Sequence, residues 1–259
     1  MLFVWYKVSF DEKWSHGSAV CETVYFFVEF VCVFPWKCVS LNNQNREKIM
    51  DGILRKLPIG IQTFEKLREG DYLYVDKTAL VWRIASTETP YFLSRPRRFG
   101  KSLLLSTFEA YFEGKKELFE GLAIADMEKE WKTYPVFHLD LNAEKYDSPQ
   151  ALVEILSRQL TQWELKYGKG EDEETLSGRF AGVIRRACEQ SGRGVVVLVD
   201  EYDKPLLQAL DDGTLLDDYR KTLKAFYGVL KSSDRYLRFV FLTGVTKFAQ
   251  VSVFSDLNQ

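Results

Sequence analysis

The sequence predicts an α/β fold, a parallel sheet flanked by helices. Three observations carry that prediction. Gly194–Val199, GVVVLV, is an unbroken, β-branched run of the kind found in a parallel strand covered on both faces. Tyr91–Leu93 is a short apolar run that passes through a basic loop into Gly100-Lys101-Ser102 and an apolar helical stretch. Strand-like runs then alternate with amphipathic helical ones, the pattern of parallel strands joined by crossovers.

Residues 1–49 stand apart from the rest. They are crowded with aromatics, hold Cys21, Cys32 and Cys38, and show no clean periodicity. The apolar run Thr23–Phe34 is too short to span a bilayer, contains Glu29 and has no basic segment before it. This segment reads as a leader of doubtful status, either extra buried strands or translated sequence upstream of a start at Met50. The fold proper is assigned to residues 50–259, read as incomplete at the C-terminus.

Within that region the helical signals are Phe64–Arg68, a stretch from Lys77 with Asp76 and Thr78 at the N-cap, Leu103–Phe112 ending at Gly114, Ala151–Tyr167, Leu176–Glu189 and Leu215–Leu230. Tyr72–Val75, Pro135–Leu141 and Leu237–Leu242 are strand-like, and Gly168–Thr175 is a polar loop. Pro58-Ile59-Gly60 reads either as an apolar clamp on a purine ring or as a plain turn. His138, inside a strand, and Cys188, on an apolar helix face, read as packed core residues.

Composition narrows the functions. With 35 basic and 37 acidic residues, the net charge of −2 supplies no global attraction to nucleic acid or to an anionic membrane, so any basic site is local. The four cysteines show no C-x-x-C spacing and the two histidines are isolated, which argues against zinc or a disulfide framework and fits a reducing cytoplasm.

The chemistry concentrates in Tyr91–Leu105, YFLSRPRRFGKSLLL, which reads as a phosphate-binding P-loop. Backbone N–H groups of such a loop and of the helix N-terminus converge on one concavity. Arg97, Arg98, Phe99, Gly100, Lys101 and Ser102 form the nucleotide-binding set, Lys101 reaching the β- and γ-phosphates and Ser102 supplying a hydroxyl to Mg²⁺. Arg95 stands where the general motif has Gly, and Pro96 offers no N–H; the guanidinium groups of Arg97 and Arg98 would compensate. A Gly-Lys-Ser tripeptide alone is equally a basic surface turn.

The second half of the pattern is Asp200-Glu201 at the tip of the Gly194–Val199 run. One carboxylate there would hold Mg²⁺ and its neighbour would position or deprotonate the attacking water, so Asp200 takes the metal and Glu201 the water. Asp203 and Lys204 would orient that pair or pair with each other. Thr243, ending the last strand, suits a γ-phosphate sensor or simply closes a strand end. Together these elements give the order of an additional-strand P-loop NTPase, with strands in the sequence 5-1-4-3-2. Only Val251–Phe254 remains as a candidate fifth strand, too close behind Leu242 for a parallel crossover. The P-loop strand then becomes an edge open to self-association.

On LPIGIQTFEKLR, YLYVDKT, YFLSRPRRFGKSLLLSTFEAYFEGKKELFEGL, VLVDEYDKPL and RFVFLTGVTKFAQVSVFS, the chain resembles the bacterial AAA-ATPase-like family over about Leu57 to Asn258. In that family an N-terminal ATPase domain precedes a restriction-endonuclease-like domain, which this chain does not include. The resemblance implies ATP binding by Lys101 and Ser102, and metal and water handling by Asp200 and Glu201. The expected function is an ATP-binding and ATP-hydrolysing module that uses Mg²⁺ to drive a protein partner or the nuclease-like domain. The alternative is a nucleotide-binding interaction module without turnover. Neither a membrane nor nucleic acid is an expected partner of this fragment.

Overall fold

The computed structural model describes residues 55–246, apart from 88, 143 and 144. The leader, and Val251–Phe254 with the question of a fifth strand, lie outside the described residues. Four strands, β1 (Tyr91–Ser94), β2 (Val136–Asp140), β3 (Val195–Asp200) and β4 (Leu237–Gly244), form one all-parallel sheet in the order β1-β4-β3-β2. That is the expected 1-4-3-2 order. Among the described strands, β1 pairs only with β4.

β3 is the spine because every one of its six residues is buried, the burial that a β-branched run in a two-sided sheet requires. Its alternation divides the core. Val195, Val197 and Val199, with Val240 and Leu242 of β4, face one helical layer. Val196, Leu198, Phe239 and Phe241 face the other. The first layer is α5 (Pro149–Tyr167), α6 (Leu176–Ser191) and α8 (Gly213–Ser232), joined by an aromatic stack. Trp163 lies on Phe180, and Phe180 lies on Phe226 with ring centroids 4.4 Å apart. The second layer is built on α3 (Lys101–Phe112), whose Phe108 and Phe112 pack on Phe239 at about 5 Å.

Two short helices brace α3. The amide of Phe64, opening α1 (Phe64–Glu69), donates to the Ser106 hydroxyl at 2.9 Å. α2 (Thr78–Ala85) starts where Asp76 accepts from the Thr78 amide and hydroxyl, and the same carboxylate accepts from the Ala123 amide at the start of α4 (Ala123–Met127). Burial works against the charge of Asp76, but these donors outweigh it and hold the carboxyl below its usual range.

Three expectations change. α3 begins at Lys101, two residues earlier than the apolar periodicity indicates, because Gly100 in the left-handed region turns the chain directly into the helix. Tyr72–Val75 forms no strand: only a bridge from Lys56 to Tyr72 is made, and Leu73 and Val75 stay exposed. With no neighbour to continue the ladder, the alternation has nothing to pair with. His138 is only partly buried in β2, and its Nδ1 meets Glu109 of α3 at 2.9 Å, so it ties the sheet to α3 rather than filling the core. Cys188 packs on the core as expected, and burial pushes its thiol pKa up.

The Phe180–Phe226 pair fixes two helices of one layer. Phe226→Ala is expected to cost about 3–5 kcal/mol of unfolding free energy, read by urea denaturation, because a buried aromatic is removed and the stack is broken.

Candidate functional site

The site forms at the C-terminal ends of β1, β4 and β3. In an open α/β sheet these ends carry the loops that lead into helices, and their free N–H groups point outward. β1 exits at Ser94 into the loop Arg95–Gly100, and α3 starts at Lys101. Arg98 (φ 68°) and Gly100 (φ 72°) both lie in the left-handed region. Left-handed residues in such a loop turn successive N–H groups inward, the backbone geometry of an anion-binding concavity. Gly100 needs this freedom; Arg98 adopts it at a cost of about 1 kcal/mol or more. Pro96, Arg97, Arg98 and Gly100 are exposed at the mouth, with Phe99 and Ser102 half-buried.

Lys101 turns inward. It is 4% exposed, and its ammonium donates to the carbonyls of Arg95 at 3.2 Å and Pro96 at 3.3 Å. Across the site it meets Glu201 Oε1 at 3.1 Å. A buried ammonium is tolerated only with a counter-charge and filled hydrogen bonds, and Glu201 supplies the charge from the tip of β3. Glu201 sits at φ 55°, so the backbone bends just past Asp200 to aim its carboxylate at the loop.

β4, between β1 and β3, joins the two halves. Leu93 is in register with Thr243, and Val199 with Leu242. The Thr243 hydroxyl donates to Asp200 Oδ1 and accepts from the Glu201 amide at 3.4 Å. Asp200, Glu201 and Thr243 are all buried. The sequence therefore singled out residues that the fold brings together: Lys101 with Glu201, and Thr243 with the Asp200-Glu201 pair. Arg97 and Arg98 stay at the exposed mouth, away from the buried ion pair.

Asp203 and Lys204 do neither of the things expected of them. Asp203 accepts from the amides of Val245 and Thr246 and from the Thr246 hydroxyl, while Lys204 reaches across to the carbonyl and side chain of Asn142. Sequence reasoning did not separate those roles, because two acids in one turn look alike until the strand beside them is known. Ser94, Tyr202 and Gly244, which also shape the site, carry no sequence signal beyond their places at strand ends.

The donor set suits a hard divalent cation. Thr243 engages only Oδ1 of Asp200, and Ser102 adds a hydroxyl one residue into α3. Among the described residues no group of three or more His, Cys, Asp or Glu comes together as a metal cage. A cation here would complete its shell with phosphate oxygens and water.

The family model described as Predicted AAA-ATPase matches residues 58–254. The chain belongs to that family. A relative from Azotobacter chroococcum mcd 1, described as an uncharacterized protein in the vnfD 5' region, is 44% identical over 205 residues, which cover 79% of this chain and 40% of the relative. The chain therefore spans well under half of that relative's length. No solved structure matches significantly. Membership of the AAA-ATPase-like family makes the chain a nucleotide-binding, ATPase-like module. No helix among the described residues is long and apolar enough to cross a membrane.

Thr243→Val keeps the shape of the side chain but removes a donor to Asp200 and an acceptor for the Glu201 amide. A loss of about 1–3 kcal/mol in unfolding free energy is expected, with Thr243→Ser losing less. Equal stability of Val and wild-type chains would show that the bridge contributes nothing.

Proposed function

We propose that the chain binds ATP with Mg²⁺ at the Arg95–Ser102 loop and hydrolyses it, and that the nucleotide state is passed to a protein partner or to further sequence of a longer protein. The observation that supports this reading is the ion pair from Lys101 Nζ to Glu201 Oε1, which spans the phosphate loop and the acid pair. Lys101 is held among two loop carbonyls and one carboxylate. Phosphate oxygens carry more negative charge than carbonyls, so an incoming triphosphate would draw the ammonium away. Glu201 would then lose its partner and be available to accept a proton from water. Ser102 and Asp200 would hold Mg²⁺, which supplies neutralisation of charge developing on the phosphates when bound. Thr243 would keep Asp200 and the Glu201 backbone in fixed relation, and its nearness to the acid pair suits a γ-phosphate sensor. Arg97 and Arg98, at the mouth, would meet the outer phosphate oxygens, and Phe99 and Gly100 would line the loop.

A second reading, nucleotide binding without turnover, draws on the same ion pair, because a Glu201 that stays with Lys101 accepts no proton. A cytoplasmic setting and self-association through the open side of β1 belong to the proposal as well.

Lys101→Ala is expected to abolish ATP binding in calorimetry, since the loop loses its inward charge; unchanged affinity would sink the phosphate-site assignment. Glu201→Gln is expected to bind ATP and release phosphate at least about a hundredfold more slowly than wild type. A wild-type rate in that variant would remove Glu201 from the chemistry, and no phosphate release from the wild-type chain would favour the second reading.

A further inference from the structure

Asp203 is a carboxylate with no exposure at all, one turn past the acid pair, and the mechanism above leaves it unused. It stands at the N-cap position of the short α7 (Lys204–Gln208), yet its side chain does not cap that helix. It faces the segment that follows β4 instead. Val245 N donates to Oδ2 at 2.9 Å and to Oδ1 at 3.2 Å, Thr246 N to Oδ2 at 2.6 Å, and the Thr246 hydroxyl to Oδ2 at 2.8 Å. Such charge-assisted bonds are what a buried carboxylate needs in order to remain ionised, and they are about twice as strong as neutral ones.

The neighbouring residue repeats the grip. Tyr202 N donates to the Thr243 carbonyl at 2.9 Å, and the Tyr202 hydroxyl donates to the Thr246 carbonyl at 2.7 Å. From the opposite side, the exit of β1 holds the same segment: Arg95 N donates to the Gly244 carbonyl at 3.0 Å, and the Ser94 hydroxyl to the Val245 carbonyl at 3.0 Å. Gly244 leaves no slack. A Cβ there would sit 2.5 Å from the Tyr202 ring and 2.7 Å from Asp203 Oδ1. The stretch Thr243–Thr246 is thus a strap, gripped by the turn after β3 on one side and by the start of the phosphate loop on the other.

We infer that Asp203 is a positioning residue: through the Val245–Thr246 strap it sets the distance between the Arg95–Ser102 loop and the Asp200–Glu201 pair. This rests on the ATPase reading given above. Asp203 touches neither Lys101 nor Glu201, so it acts only through the strap. An amide at this position would turn an NH₂ toward amide N–H groups that need an acceptor, loosening the strap without changing side-chain volume.

The experiment compares wild type, Asp203→Asn, Gly244→Ala and Thr246→Val by amide hydrogen exchange and by steady-state ATP hydrolysis with Mg²⁺. Asp203→Asn is expected to speed exchange at Val245 and Thr246 and to lower kcat about tenfold or more, with KM for ATP changed less than about threefold. Gly244→Ala should shift both readouts the same way, and Thr246→Val, which loses one of the bonds, should do so more weakly. A purely structural role would lower the melting temperature while leaving kcat of the folded protein intact, and that result overturns the inference. So does unchanged exchange at Val245 and Thr246 in Asp203→Asn. If Asp203→Asn does not fold, Thr246→Val decides by the same two measurements. A wild-type chain without turnover would defeat the ATPase reading and with it the positioning role, while the exchange comparison would still report separately whether Asp203 holds the strap.

Discussion

The site depends on one buried charge. Lys101 points into the protein, and an ammonium cannot stay there without an opposite charge and saturated donors. Two loop carbonyls and the Glu201 carboxylate meet that demand. Because the loop follows β1 and the carboxylate follows β3, the requirement couples two strands that do not touch. β4 runs between them and provides the bridge through Thr243. Breaking such a pair by removing one partner leaves the other charge stranded, so the arrangement is stiff until a better partner arrives. A polyphosphate is that kind of partner for an ammonium.

The backbone is arranged around the same demand. Arg98, Gly100 and Glu201 all take left-handed conformations at the mouth or floor of the site. Two of the three are not glycine, and such conformations persist only where surrounding contacts over-determine them. The contacts here are the sheet core beneath, where β3 is buried throughout, and the strap that joins the exits of β1, β3 and β4. Stability in the core is what allows strain at the tips.

Much of this was legible in the sequence, for physical reasons that differ by element. β3 was readable because a strand buried on both faces must be continuously apolar, and the acid pair because a carboxylate breaks such a run. The loop was readable because Gly-Lys-Ser after a short apolar run has few other uses, even with Arg95 and Pro96 in place of the general motif. The strand order followed from joining those motifs to the P-loop pattern. Tyr72–Val75 misled because alternation reports amphipathicity and not the presence of a pairing partner, and only the bridge at Tyr72 formed. The duties of Asp203 and Lys204 were not legible, since both depend on residues some 40 to 60 positions away, at Val245–Thr246 and Asn142. Long-range hydrogen bonds leave no local pattern.

The most direct test of the account is a crystal structure of the chain with Mg²⁺ and a non-hydrolysable ATP analogue. The account predicts that Lys101 Nζ leaves Glu201 and lies on the β- and γ-phosphate oxygens, with Ser102 and Asp200 around the cation and the Glu201 carboxylate turned toward the γ-phosphate. An analogue bound elsewhere, with the Lys101–Glu201 pair intact, would contradict it.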